Sequence, residues 1–221
     1  MNPIPEDASP EDPRWEIAFL ELAHGLVLAG AKAKIISRFT DLPLWRIRRM
    51  YRALRGTSPP PGPVMQGSAR GFAIPSKRAS AAWRIQCAIF LACYERLGQL
   101  SEMQVQRGWR LLDAFGVYLS LTDKLYRNTR VERLDINRAY GLLTHCGFLA
   151  LKGRAELQRK ECPNCLISYP VIATEPLEKQ GCPVCAMNAN NLRLSSQGSR
   201  AGLKNTTSKV KKPPFSAQSP P

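Results

Sequence analysis

The chain has 221 residues, with 32 Lys and Arg against 17 Asp and Glu, for a formal net charge of +15. That length gives one or two small domains with a real core, and so large a basic excess points to a polyanionic partner. No phosphate-binding P-loop, Gly-x-Gly-x-x-Gly or internal repeat is present.

Residues 1–13 are Pro-rich and acidic and read as a mobile lead-in. A helical region with a helix-turn-helix-like segment is expected over 14–56. Trp15, Phe19, Leu22, Leu26 and Ala29 recur at three- and four-residue steps, which marks the apolar face of a helix. His24 lies within it and reads as a packed or solvated side chain. The apolar run over 17–31 is broken by Glu21 and His24, and is too short and polar to span a membrane. No signal peptide is visible. The chain therefore reads as cytoplasmic, with no membrane partner.

Ile35, Ile36, Phe39 and Leu42 predict a short helix. Asp41 or Leu42 then caps a second one, with Pro43 in its first turn. On that second helix Leu44, Ile47, Tyr51 and Leu54 share one side. Trp45, Arg46, Arg49 and Arg52 fall on the other, within an arc of roughly 120°, and Arg48 and Arg55 sit at its edge. Two short helices joined by a tight turn, the second with a basic outer face, resemble a helix-turn-helix. The planar fork of arginine can bond two phosphate oxygens, or the O6 and N7 of guanine. Arg46, Arg48, Arg49, Arg52 and Arg55 are the DNA-binding candidates; a solvated face on a packing helix is the plainer alternative.

Gly56 ends that helix. Gly and Pro then continue over 57–76, which reads as a linker without helix or strand. A helical middle region spans 77–150. Trp83, Cys87, Phe90, Leu91 and Tyr94 form one stripe, with Gly98 as a C-cap. Ser101 caps the next helix, with Val105, Trp109, Leu112 and Leu119 inward. A last helix runs over 134–146, with Ile136, Tyr140 and Leu143 apolar and Gly147 ending it. His145 and Cys146 point about 100° apart on such a helix and read as packing residues, not as metal ligands.

The most informative stretch is 151–187. It holds C-P-N-C, sixteen residues, then C-P-V-C. Two Cys-x-x-Cys pairs at that separation have the spacing of a four-thiolate zinc site. Cys162, Cys165, Cys182 and Cys185 are the expected ligands of one Zn2+ per chain. Pro163 and Pro183 are expected to stiffen both knuckles alike, and Gly181 to supply an unusual backbone angle. The β-branched residues and Tyr169 between the pairs suit short strands, giving a small zinc ribbon. Disulfides or a redox Cys-x-x-Cys are the alternative. Cys87, Cys93 and Cys146 bring the total to seven, an odd number in apolar settings, which fits free thiols in a reducing compartment. Four thiolates leave zinc no open position, so the site reads as structural. Residues 188–221 carry six basic residues and no acidic one. They cannot bury a core and read as a disordered tail. The expected fold is mainly α: helical N-terminal and middle regions, a small C-terminal four-cysteine zinc ribbon and that tail.

The order of these parts resembles the FlhC family, the C subunit of the bacterial flagellar master transcriptional regulator. The resemblance rests on R-I-R-R-M-Y-R-A-L-R-G-T-S-P-P-P-G and on the cysteine quartet, and it covers roughly 15–187. It implies a DNA-binding activator that assembles with FlhD as a hetero-oligomer, a heterohexamer, upstream of flagellar operons. There it would promote transcription by RNA polymerase. Pro43 stands where a small polar cap is expected, and the basic tail has no clear counterpart.

An RNA-binding or translation-associated zinc-ribbon protein would share the charge and the ribbon. The aromatics, however, are spaced inside apolar stripes and not laid out as a stacking platform. A zinc deaminase needs a His-x-Glu element and an open metal position. His24 is followed by Gly-Leu and His145 by Cys-Gly, so the chain reads as a non-enzyme.

Overall fold

A computed structural model of the protein describes residues 13–64, 67–74, 80–98, 103–127, 132–149, 155–176 and 180–189. The lead-in up to residue 12, Ser101 and the tail from 190 onward lie outside the described residues. The chain is mainly helical, as expected. Its order is α1 (Pro13–Leu28), α2 (Ala33–Thr40), α3 (Leu44–Arg55), α4 (Ala69–Ala73), α5 (Ala81–Arg96), α6 (Gln104–Leu125) and α7 (Ile136–His145), then strands β1 (Leu157–Glu161) and β2 (Ser168–Ile172). The strands pair antiparallel, with Leu157 opposite Ile172 and Glu161 opposite Ser168.

Helix α1 buries Trp15, Leu22 and Leu26 against α2, α3 and α6. Its C-terminal turn leads through Gly30, at φ 81, into α2, which buries Ile35, Ile36 and Phe39. The turn into α3 differs from the expected one. Asp41 closes α2 instead of opening α3: its φ is 53 and its N–H donates to the Ser37 carbonyl. Pro43 is the residue before the helix, with no side-chain cap bond, and α3 starts at Leu44. A proline there has no N–H to leave unsatisfied, and it holds Leu42 away from helical geometry. The Ser37 hydroxyl donates to the Leu42 carbonyl at 2.8 Å and fixes the turn.

Two further expectations are corrected. Leu54 is 38% exposed, because the inner side of α3 narrows to Ile47 and Tyr51 at its end. In the Gly- and Pro-rich stretch, α4 forms where no helix was expected. Ser68 accepts from the Gly71 N–H as a side-chain N-cap does, and Phe72 and Ala73 are buried.

Helix α5 is the centre of the molecule. Ser80 caps it by accepting from Trp83 N, and the predicted stripe of Trp83, Cys87, Phe90, Leu91 and Tyr94 is buried. So are Arg84, Ile85, Gln86, Ala88 and Cys93. A helix covered on nearly every side belongs in the interior. Helices α6, α7 and α4 and strand β2 all pack on it. Gln86 is satisfied on one side by the Tyr118 hydroxyl at 2.8 Å, which also accepts from Leu134 N at 2.9 Å.

The inward face of α6 is turned from the expected one. Val105 is buried, but Trp109, Leu112 and Leu119 are only partly so. The buried line is Val105, Gly108, Leu111, Ala114, Phe115, Tyr118 and Thr122. Gly108 explains the turn. A Cβ there would stand 2.7 Å from Leu22 Cδ2 and 3.0 Å from Phe39 Cβ, so α6 meets α1 and α2 through a residue without a side chain. Asp135 caps α7 by accepting from Asn137 N and Arg138 N, and Ile136, Tyr140 and Leu143 are buried as expected.

Gly108→Ala sets overpacking, about 1–3 kcal/mol, against a helix-propensity gain of up to about 1 kcal/mol. A net loss of up to about 2 kcal/mol is expected in urea unfolding; a more stable variant would contradict the close approach.

Candidate metal centre and basic helix face

The four cysteines converge. The sulfurs of Cys162, Cys165, Cys182 and Cys185 all lie within 4.8 Å of one another. Cys162 meets Cys185 at 3.7 Å, and Cys165 meets Cys182 at 3.5 Å. A tetrahedral ion bound to sulfur at about 2.3 Å sets its sulfurs roughly 3.8 Å apart. The quartet therefore can hold a metal ion and fits a zinc ribbon.

The two knuckles are built differently, contrary to the expected symmetry. After β1, Cys162 N donates to Ile167 O at 3.0 Å and Leu166 N donates to Cys162 O at 2.9 Å. The left-handed residue is Leu166, at φ 59; Gly181 has no such angle. Pro163 thus lies in a closed turn. Pro183 begins a helical turn over 183–189, where its missing N–H costs nothing. Ala186 N then donates to Cys182 O at 3.0 Å.

The thiols are electrostatically unequal. The backbone N–H groups of Cys165 and Asn164 draw the Cys162 thiol down to about 6. Burial pushes the Cys182 thiol up. Cys185 is pushed up to about 12, first by its hydrogen bonds to Cys162 and Cys165. One thiolate in the cluster thus opposes the next, so four thiolates require a cation among them. With all four positions taken by sulfur, such a site is structural.

Two residues that complete this centre gave no signal in the sequence. Arg84 on α5 is only 2% exposed. Its Nη2 donates to Gly181 O at 2.7 Å and to Gln180 O at 3.4 Å, just ahead of Cys182. Burial opposes its charge, while Tyr169, Cys182 and Cys87 favour it. Ala88, one turn along, packs with Cys162, Tyr169, Val171 and Cys182. Gln180 is fully buried. It accepts from Ile172 N at 2.6 Å and donates to Ile172 O and Glu175 O, both at 2.9 Å. It ties the end of β2 to the second knuckle. Arg84 lies within an apolar stripe and Gln180 in a polar one, so periodicity singles out neither.

The hairpin is also joined to the helices. Leu157 and Ile172 belong to the same buried cluster as the helical core. His145 is buried against Phe72, with Nδ1 3.3 Å from Glu156 Oε2, in agreement with its reading as a packing residue. Cys87, Cys93 and Cys146 are free thiols, and burial pushes all three up.

On α3 the five candidate arginines divide. Arg48, Arg49 and Arg52 are exposed, beside a Trp45 that is 65% exposed. Arg46 is half-buried and 3.7 Å from Glu16 Oε1. Arg55 donates to Leu28 O at 2.6 Å and Val27 O at 3.3 Å. It thereby caps the carbonyl end of α1 with a cation. Behind them, the Tyr51 hydroxyl donates to Ala31 O and fixes the inner side of α3.

Arg84→Met removes the buried charge and keeps most of the volume. Loss of such a supporting group lowers metal affinity by about 10- to 100-fold, and chelator competition on the purified protein should show it. Arg84→Lys should recover part of the loss. Equal affinity in all three proteins would leave Arg84 as a packing group only.

A model of the family described as flagellar transcriptional activator (FlhC) matches residues 15–197. The match runs past the 187 expected from the resemblance. No curated protein matches the chain. The converging cysteine quartet, the two helices joined through Asp41, Leu42 and Pro43, and a match over most of the length agree: the chain belongs to the FlhC family of flagellar transcriptional activators.

Proposed function

We propose that this chain is the DNA-binding subunit of a cytoplasmic activator. With an FlhD-type partner, as a heterohexamer, it binds double-stranded promoter DNA upstream of flagellar operons and promotes transcription by RNA polymerase. Family membership supports the activator role. The observation that carries the DNA contact is the outward side of α3. Trp45, Arg48, Arg49 and Arg52 are exposed there, while Ile47 and Tyr51 hold the opposite side in the core.

In this reading Arg49 is the base reader, because it lies near the middle of the exposed arc in the N-terminal half of the helix. Arg48 and Arg52 hold phosphates. Arg46 and Arg55 serve DNA binding indirectly, by fixing α3 to α1 at Glu16 and at the Val27 and Leu28 carbonyls. Arg49→Ala should cost about 1–3 kcal/mol on operator DNA and relax preference at one base pair. Arg52→Ala should weaken operator and random duplexes alike and reduce the salt slope by about 0.9. Both are read by titrating the purified complex with labelled duplexes, and an RNA competitor checks the preference for DNA. Parental binding in both variants would make α3 a packing element.

The same reading places one Zn2+ on Cys162, Cys165, Cys182 and Cys185. The ion supplies four strong bonds that cross-link the two knuckles, worth about 10–16 kcal/mol in small finger peptides. Cys165→Ser should drop the zinc content well below one per chain and open 155–189 to protease. Full zinc content, or unchanged proteolysis, would refute the assignment.

A further inference from the structure

Beside α3 lies a groove of about 260 Å³, lined by Lys32, Lys34, Arg48 and Arg52 on one side and by the Pro-rich loop over 58–62 on the other. No acidic residue lines it. Its cations differ in depth. Lys34, Arg48 and Arg52 are exposed, but Lys32 is only 2% exposed. The Lys32 Nζ donates to Pro63 O at 2.6 Å. Its backbone N–H donates to Asn137 Oδ1 at 2.8 Å, and Asn137 in turn donates to Gly30 O at 3.1 Å, so the residue is fixed from behind. Among the described residues no carboxylate forms an ion pair with any of these four cations.

A buried ammonium that has a carbonyl but no counter-ion is costly unless an anion completes its surroundings. The loop keeps room for one. Pro59, Pro60 and Pro61 have fixed φ and no N–H to turn inward. Gly62 sits at φ 96, and a Cβ there would come within 3.3 Å of the Lys32 Nζ. We propose that this groove is a phosphate pocket, in which Lys32 at the floor and Arg48 and Arg52 at the rim hold one phosphate of the DNA backbone. The proposal rests on the reading that α3 faces DNA, and it makes the S-P-P-P-G run over 58–62 the wall of the pocket.

The test uses the full chain in complex with its partner, with matched metal content and melting temperature checked for each variant. Labelled operator and random duplexes are titrated between about 50 and 200 mM salt. Lys32→Met should weaken both duplexes equally and reduce the salt slope by about 0.9. Across that salt range the parent-to-variant affinity ratio then changes by about 3.5-fold. Gly62→Ala, which crowds Nζ and keeps every charge, should weaken both duplexes as well. Inorganic pyrophosphate should raise the melting temperature of the parent and not that of Lys32→Met. If Lys32→Met does not fold, Gly62→Ala carries the test, with weaker binding of both duplexes expected. An unchanged slope together with lost binding in Arg49→Ala would overturn the pocket and leave α3 on DNA. Parental binding in all of these variants would overturn both.

Discussion

Helix α5 has almost no face for water, because α4, α6, α7 and strand β2 are arranged around it. Phe90, Leu91 and Tyr94 are met by helices, and Arg84 and Ala88 by the cysteine hairpin. A two-stranded hairpin has little stability of its own. This one packs on Ala88 of α5, and its four sulfurs converge where an ion could cross-link them. A metal ion in the quartet would therefore cover the helical core as well as cross-link the knuckles, since Leu157 and Ile172 are part of that core. A metal bound there would thus be a structural member of the fold, joined to the helical core through Leu157 and Ile172.

The net charge of +15 overstates how much of the surface is available to a polyanion. Arg84 is enclosed by the hairpin. Arg110 donates to the Tyr94 carbonyl at 2.8 Å and lies 4.5 Å over that ring. Arg38 donates to the Tyr140 hydroxyl at 2.8 Å, and Arg55 caps α1. Each of these guanidinium groups donates to carbonyl or hydroxyl oxygens of the fold, which arginine does well because its donors are fixed in a plane. Arg48, Arg49 and Arg52, exposed beside Trp45, are not used in this way.

The sequence shows the helices well where one face alone is apolar. Trp15, Leu22 and Leu26 on α1 and Ile136, Tyr140 and Leu143 on α7 are all legible from spacing, as is the quartet from its Cys-x-x-Cys pairs. Three features are not. Large side chains alone mark only the margin of the buried face of α6, where Trp109, Leu112 and Leu119 pack against the core, because close helix approach at its centre selects for the absence of a side chain at Gly108. Helix α4 is hidden by Gly and Pro on both sides, with only Ser68 and Phe72 to announce it. The division among the arginines of α3 depends on Glu16 and on the α1 carbonyls, which are distant in sequence, so no pattern within the helix could separate them.

The stop signal of α3 matters as much as its arginines. Gly56 takes φ 64, and its N–H donates to Arg52 O. This ends the helix in the left-handed turn that glycine allows most readily. The chain then runs back along α3 as a proline run beside Arg48, Arg52 and Lys32. A phosphate contact carries no sequence information, but it fixes the register in which a neighbouring side chain meets a base edge. An Arg49 reaching for a base from a helix held only by its own packing could slide along the groove of the DNA. With a phosphate gripped from the same helix it could not. In this reading the proline run and the basic helix are one device: the loop sets the register, and the helix reads within it.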